Sequence, residues 1–256
     1  MDIHPQAIVD ASARLGDGVR VGPFTCIGPD VEIGAGSEIG PNVLIEGNTV
    51  LGKKCRVFHG ASIGGEPQVA GFENLPSGVH IGDECVIREY ATIHRSMYEN
   101  QFTRMGLGCM LMAYGHVAHD CQIGDHVVIV NGTGLSGHVV VGDHAFVSGM
   151  VGTHQEIRIG AHSMVGGFTV LRKDVIPFGL VEGVPPRLVG INSIGLRRRK
   201  IAPKIRSALK EAVRLLKDPG LNTSQAVERI TEGVEALEAI KSLTEFIQTS
   251  SRGIIK

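Results

Sequence analysis

The chain has 256 residues, and its 25 Lys and Arg against 26 Asp and Glu give a formal charge of −1, so no global electrostatic case exists for a nucleic-acid partner. Tryptophan is absent and aromatics make up only 4%, which excludes a wide aromatic core and suits a thin, tightly turned architecture. Five cysteines without a CxxC pair support neither a disulfide framework nor a zinc knuckle; no secretory stretch follows the start and no run approaches membrane-spanning length, so the expected setting is the cytoplasm.

From the amino terminus the chain keeps a six-residue period. Aliphatic residues recur at Ile3, Val9, Leu15, Val21, Ile27, Ile33, Ile39, Ile45, Leu51, Val57 and Ile63. The same phase resumes at Ile81, Ile87 and Ile93, then from Met105 through Ile123 and Val147 to Leu171. Such a period is neither helical nor that of a simple strand, and it marks a solenoid. Glycine often follows the aliphatic, as at Gly16, Gly34 and Gly52, where the chain must turn sharply. Four places past the aliphatic the residue is small, as at Thr25, Ser37, Ala61 and Thr133. Three flat sides of six residues make a coil of 18, stacked at about 4.8 Å per coil. These hexapeptides resemble the left-handed parallel β-helix. Cys55, Cys85, Cys109 and Cys121 occupy the small inward slot and read as packing residues.

Two stretches interrupt the pattern. Residues 65–78 are rich in Gly, Pro and polar side chains and read as a loop; residues 95–103 read as a shorter one. The phase survives both, so each replaces whole hexapeptides. Long loops on a rigid solenoid are usual places for function.

All eleven histidines avoid the inward slots, which sends them outward or to corners. In Tyr114-Gly115-His116-Val117-Ala118-His119-Asp120-Cys121 two of them stand three apart. A step of 18 leads from His119 to Gly137 and then to Gln155, with His138 and His154 adjacent. His119, His138 and His154 are thus expected on one ridge. Imidazole titrates near neutrality, which suits a general base, and a backbone N–H such as that of Gly137 suits an oxyanion. The pair fits acyl transfer. A rival column, His126, His144 and His162, is also spaced by 18, but parallel stacking aims its nitrogens alongside one another, so no metal is expected there or elsewhere.

The clock stops near Pro177, and Pro185-Pro186 mark a boundary between residues 1–186, the β-helix, and residues 187–256, an α-helical carboxyl-terminal domain. Ile205, Leu209, Ala212, Val213 and Leu216 form one helical stripe, ended by Asp218-Pro219-Gly220. Thr223 or Ser224 is expected to cap a second helix carrying Val227, Ile230, Val234 and Leu237. Ile240, Leu243, Phe246 and Ile247 suggest a third. A basic run, Arg197, Arg198, Arg199, Lys200, Lys204, Arg206 and Lys210, is either a solvated face or a dock for an acidic partner.

These residues together resemble the bacterial UDP-N-acetylglucosamine 3-O-acyltransferase family, which begins lipid A synthesis from an acyl carrier protein thioester. The matching segments are Ile87–Arg95, Gly115–Cys121, Leu135–Val139, Thr153–Gln155, Ala161–Gly167, Gly190–Arg199 and the terminal SSRGIIK. The resemblance spans the chain. It implies that His119 is the general base, that the Gly137 N–H faces the oxyanion and that Asp120 orients groups beside the base. It places His116, His138, His154, Gln155 and Gln68 against the substrate, with Asn192, Arg198 and Arg199 on the nucleotide sugar. It assigns acyl-chain length to Met164 and Gly167. It further implies a homotrimer, acyl carrier protein as partner, a nucleotide-sugar substrate and no bound cofactor. Val69, Gly71, Glu156 and Ile194 depart from the family pattern where donor or acceptor is gripped. They leave open a same-fold enzyme for another nucleotide sugar, such as a 3-amino sugar. A γ-type zinc carbonic anhydrase is a further alternative, but His116 and His119 have two residues between them, where that family has four; a non-catalytic scaffold is the last.

Overall fold

The structure is a computed structural model describing residues 2–256. Among these residues the six-residue period closes into a three-sided prism. One face has eleven strands, beginning at Asp2–Ile3 and ending at Gly179–Glu182 and Arg187–Ile191. A second has nine, from Ile8–Val9 to Val170–Leu171, and a third has eight, from Arg14–Leu15 to Arg158–Ile159. Most strands are two residues long and pair in parallel, in steps of 18, as Val21 with Ile39 and Ile123 with Val141. The step widens to 30 between Val57 and Ile87 and to 24 between Ile87 and Leu111. The two loops therefore insert two hexapeptides and one, and the register is kept.

The aliphatic column fills the prism axis: Ile45, Ile63, Ile81, Ile87, Leu111 and Leu135 are wholly buried. The small slot does more than fit a narrow space. Thr25 Oγ1 accepts from the Val43 N–H at 3.1 Å and donates to the Gly40 carbonyl at 2.7 Å, joining one coil to the next. Ser37 and Thr133 repeat the arrangement. The buried cysteines keep half of it, donating to the carbonyls of Gly82, Gly106, Gly124 and Ser136. Packing is thus only part of their role: the slot needs a small side chain that also satisfies a buried carbonyl. Glycine at the corner answers a clearance problem, since a Cβ on Gly34 would stand 2.5 Å from the Gly52 carbonyl carbon.

Four helices follow: α1 (Ser193–Arg198), α2 (Pro203–Leu216), α3 (Thr223–Gly233) and α4 (Glu238–Gln248). The segment after Pro186 differs from the sequence reading. Arg187–Ile191 is not helical but an antiparallel strand on the last strand of the prism. The cap of α3 is Asn222, not Thr223 or Ser224; its side chain accepts from the Gln225 N–H in a capping box. Val234 and Leu237 lie outside α3, because Val234 is already extended and Leu237 precedes α4.

The carboxyl terminus is bound back to the prism. Asp174 is 1% exposed. It accepts from the Arg158 N–H and guanidinium and from Ser250 Oγ, while its own N–H donates to the Gly253 carbonyl. Arg158 also reaches the Phe246 carbonyl at 2.7 Å and lies over the Phe246 ring. This knot holds α4 and the terminal strand-like residues against the last coils.

Candidate active site

The expected base and its partners gather at the corner between the second and third faces. In this coil the His116–Val117 strand of the second face precedes the corner, and the Gln122–Ile123 strand of the third face follows it. Both loops leave this same corner in preceding coils, after Gly65 and after His94. They stack on one another there: Asn100 N–H donates to the Pro76 carbonyl at 2.7 Å, and Gly78 N–H to Gln101. Arg95, largely buried, extends its guanidinium to Asn74 and lies over Phe72.

His119 is 6% exposed, so it is not the outward, weakly packed residue that the register suggests. The loop of residues 95–101 reaches its neighbours Asp120 and His138 through Ser96, Met97 and Tyr98, contacts that strand spacing cannot show. His119 Nδ1 lies 2.8 Å from Asp120 Oδ2. A carboxylate only accepts, so the shared proton sits on Nδ1 and the Nε2 lone pair is free. Asp120 is itself fixed by the second loop: Ser96 Oγ donates to one oxygen and the Met97 N–H to the other at 3.3 Å. The Asp120 N–H donates to Thr103 Oγ1 at 2.8 Å.

Three columns cross the corner in steps of one coil. His119 stands over Gly137 and Gln155, Asp120 over His138 and Glu156, and Ala118 over Ser136 and His154. Asp120, His138 and Glu156 all adopt positive φ near 61°, the shared backbone of this corner. The His119 ring lies so close to Gly137 that a Cβ there would be 2.5 Å from its Cε1. Among the described residues the Gly137 N–H has no acceptor, whereas its neighbours are occupied: Ser136 N–H donates to Thr153 Oγ1 and His138 N–H to the His119 carbonyl. His138 reaches the cluster through Asp120, with Nε2 at 3.8 Å from Oδ2 and its ring edge-on to His119.

The other expected residues are placed less compactly. His116 pairs with Thr92 Oγ1 at 2.7 Å and stands edge-on to His94. Burial, then the His116 and His119 charges, pull His94 down to about 4. Burial and the His119 charge lower His116 as well. His154 Nδ1 turns to the Gln155 carbonyl. Gln68 is exposed on the first loop. Burial pushes the Cys121 thiol up to about 12, so it offers no thiolate beside the base.

Asn192, Arg198 and Arg199 lie at a different corner, between the third and first faces. They line a cleft of about 490 Å³ with His144, Phe146, Met164 and Ile194. Asn192 is 7% exposed, caps α1 through the Gly195 N–H and donates to the His162 carbonyl at 2.9 Å. His126, His144 and His162 do stack here, the first two at 5.0 Å and 3°. Gly167 lies at the third corner, exposed beside Phe168. Ser96, Thr103 and Thr92 were missed by sequence reasoning. The signal for Ser96 was its offset of 24 from Asp120, the step the second loop imposes.

Comparison with known proteins adds the chemistry. Residues 174–255 match the family described as Udp N-acetylglucosamine O-acyltransferase, Domain 2, and residues 12–47 match the bacterial transferase hexapeptide repeat. An acyl-[acyl-carrier-protein]–UDP-N-acetylglucosamine O-acyltransferase from Thermodesulfovibrio yellowstonii is 41% identical over 256 residues, covering 100% of this chain and 99% of the relative. One from Syntrophobacter fumaroxidans is 42% identical and covers all of both chains. The Bacteroides fragilis UDP-N-acetylglucosamine acyltransferase structure has a TM-score of 0.97 at 35% identity, covering 99% of each chain. That from Francisella novicida has a TM-score of 0.94 at 38% identity, over 99% of this chain and 93% of its own. With its prism, its terminal helices and likeness over its full length, the chain belongs to the hexapeptide-repeat family of acyl-[acyl-carrier-protein]–UDP-N-acetylglucosamine O-acyltransferases.

Proposed function

We propose that the chain transfers an acyl group from an acyl carrier protein thioester to the 3-hydroxyl of UDP-N-acetylglucosamine, the first step of lipid A synthesis, with His119 as general base. The observation that carries the assignment of the base is the Ser96–Asp120–His119 chain of hydrogen bonds ending over Gly137. Asp120 holds the proton on Nδ1 and leaves Nε2 to take one from the sugar hydroxyl. The oxygen bonds to the thioester carbonyl carbon, and the free Gly137 N–H donates to the oxyanion. The carbon–sulfur bond then breaks, and the proton on Nε2 passes to the departing thiolate.

Three further elements support the complete site. Asn192, Arg198 and Arg199 stand at one prism corner and His119 at another, and a rigid prism holds them apart. A homotrimer, with one prism's corner against its neighbour's, joins the two groups around one nucleotide sugar. His138, His154, Gln155, His116 and Gln68 belong to the His119 side and complete the pocket wall there. The exposed Arg197–Lys200 run with Lys210 suits an acidic carrier protein, with Lys204 partly engaged by Glu235 at 2.6 Å. Among the described residues no helix is long and apolar enough to cross a membrane.

The deciding experiment is a transfer assay with a panel of 3-hydroxyacyl carrier proteins and nucleotide sugars, on the native protein and His119→Ala. Product from UDP-N-acetylglucosamine, nearly lost in His119→Ala with circular dichroism unchanged, supports the reading. Equal turnover in the folded variant removes His119 from the mechanism. Sedimentation at one-chain mass in an active sample would overturn the trimer.

A further inference from the structure

We propose that His119, Asp120 and His138 also form a binding site for a divalent transition ion of the zinc or cobalt type, and that an ion held there blocks acyl transfer. One ligand atom from each residue lies within 4.8 Å of the other two. His119 Nδ1 and Asp120 Oδ2 are 2.8 Å apart, and His138 Nε2 and the same oxygen 3.8 Å. Around a tetrahedral ion with bonds of about 2.0–2.1 Å, neighbouring ligands stand about 3.3 Å apart. The first pair opens by about half an ångström and the second closes by as much, while the two histidine nitrogens, within 4.8 Å of each other, draw together; His138, the most exposed of the three, supplies most of the movement.

Orientation separates this group from the other histidine column. The His119 and His138 rings cross at 87°, and a nitrogen of each approaches the same carboxylate oxygen, at 2.8 and 3.8 Å. His126 and His144 lie 3° apart and point in parallel. Two imidazoles and one carboxylate are a donor set that zinc and cobalt accept, with a fourth position left to water. Ser96 and the Met97 N–H already hold the carboxylate from behind, as outer partners of metal ligands do. His138, more exposed than the other two, gives the ion its entry.

The effect on the reaction follows from the tautomer. An ion on Nδ1 displaces the proton shared with Asp120. The neutral ring then carries its proton on Nε2, which becomes a donor and no longer accepts from a sugar hydroxyl. The inhibition rests on His119 being the base; the binding does not.

The test titrates EDTA-stripped, dialysed protein with cobalt(II) chloride and follows the visible absorption band of low-coordinate cobalt. One ion per chain is expected, displaced by zinc chloride. His138→Ala should weaken binding tenfold or more, and His126→Ala should leave it unchanged. If His138→Ala does not fold, His138→Gln replaces it. No band, or a band unaltered by loss of His138, overturns the site. In parallel, saturating zinc should reduce transfer by the native protein at least tenfold, with recovery on adding EDTA. A cobalt band with undiminished transfer overturns the blockade. Stripped protein that transfers only once zinc is restored overturns both the blockade and the metal-free base, while the cobalt titration still reports the site.

Discussion

Replacing Gly137 with alanine tests the corner most directly. The variant keeps the backbone N–H and adds one methyl group. That carbon would stand 2.5 Å from His119 Cε1, 2.6 Å from Nε2 and 3.1 Å from Nδ1. Ordinary contact needs about 3.5–4.0 Å, so the ring must retreat by about 1 Å. The ring is tied to Asp120, and Asp120 to the second loop, so the retreat breaks or bends the hydrogen bond that sets the tautomer. A misplacement of about 1 Å costs on the order of 100-fold in rate, or about 2.7 kcal/mol of barrier. Overpacking at this buried position should cost about 1–3 kcal/mol of stability. The assay is kcat and KM for transfer to UDP-N-acetylglucosamine, beside a thermal melt. We expect a fall of about 100-fold, chiefly in kcat, in a folded protein. A folded variant within threefold of native kcat would mean that the ring does not need its place over Gly137.

Ser96→Ala removes one of the two loop donors to Asp120 and should lower kcat by about tenfold or more, as loss of a hydrogen bond to a charged group costs about 1.5–3 kcal/mol; Ser96→Thr should restore part of it, and an unchanged kcat in Ser96→Ala would show the loop is only a cover. Gly167→Met fills an exposed corner with one tight contact, the Gly149 carbonyl at 3.2 Å from a Cβ, and should shift the preferred donor to a shorter acyl chain in a competition assay. Asp174→Ala strands Arg158 and Ser250 and should cost about 3–5 kcal/mol, read as a lowered Tm and earlier proteolysis after residue 190. His94 is held near 4 by burial, below its ordinary 6.5, so the unfolded chain takes up the proton first. Stability conferred by neutral His94 is therefore present above about pH 6.5 and lost as pH falls toward 4, by no more than about 3 kcal/mol. Thermal melts across that range should show a shallower decline for His94→Gln, and an identical decline would exclude His94 as the cause.

The prism was legible because its rule is local and repeated. Each hexapeptide places one aliphatic inward and one small residue in the narrow slot, and the in-phase positions from Val21 to Leu171 are the core. The same periodicity carried His119 to Gly137 without any structure. It failed where a neighbour is set by something other than the coil. Arithmetic put His138 beside Gly137, but the contact that matters runs through Asp120, one column along. His119 reads as outward in the register and is buried, at a corner where a loop of irregular backbone closes on its partner Asp120. Nothing periodic specifies that loop's path, so the partnership of Ser96 with Asp120 was illegible. Equal spacing draws the eye to His126, His144 and His162, whose rings stack in parallel, while the converging ligands His119, Asp120 and His138 lie where spacing alone is silent.

The period, the inward columns, the loop sites and the helical stripes follow from the order of residues alone, since each depends on residues near one another in the chain. Tertiary structure decided what the corners contain. Two loops leave one corner and the second of them fixes the Asp120–His119 pair, and the terminal residues close on Asp174. Asn192 and the two arginines are carried to another corner. The physical reason is that a repeat fixes where each coil lies, whereas side-chain approach across coils and loops depends on torsions and contacts that no six-residue pattern encodes.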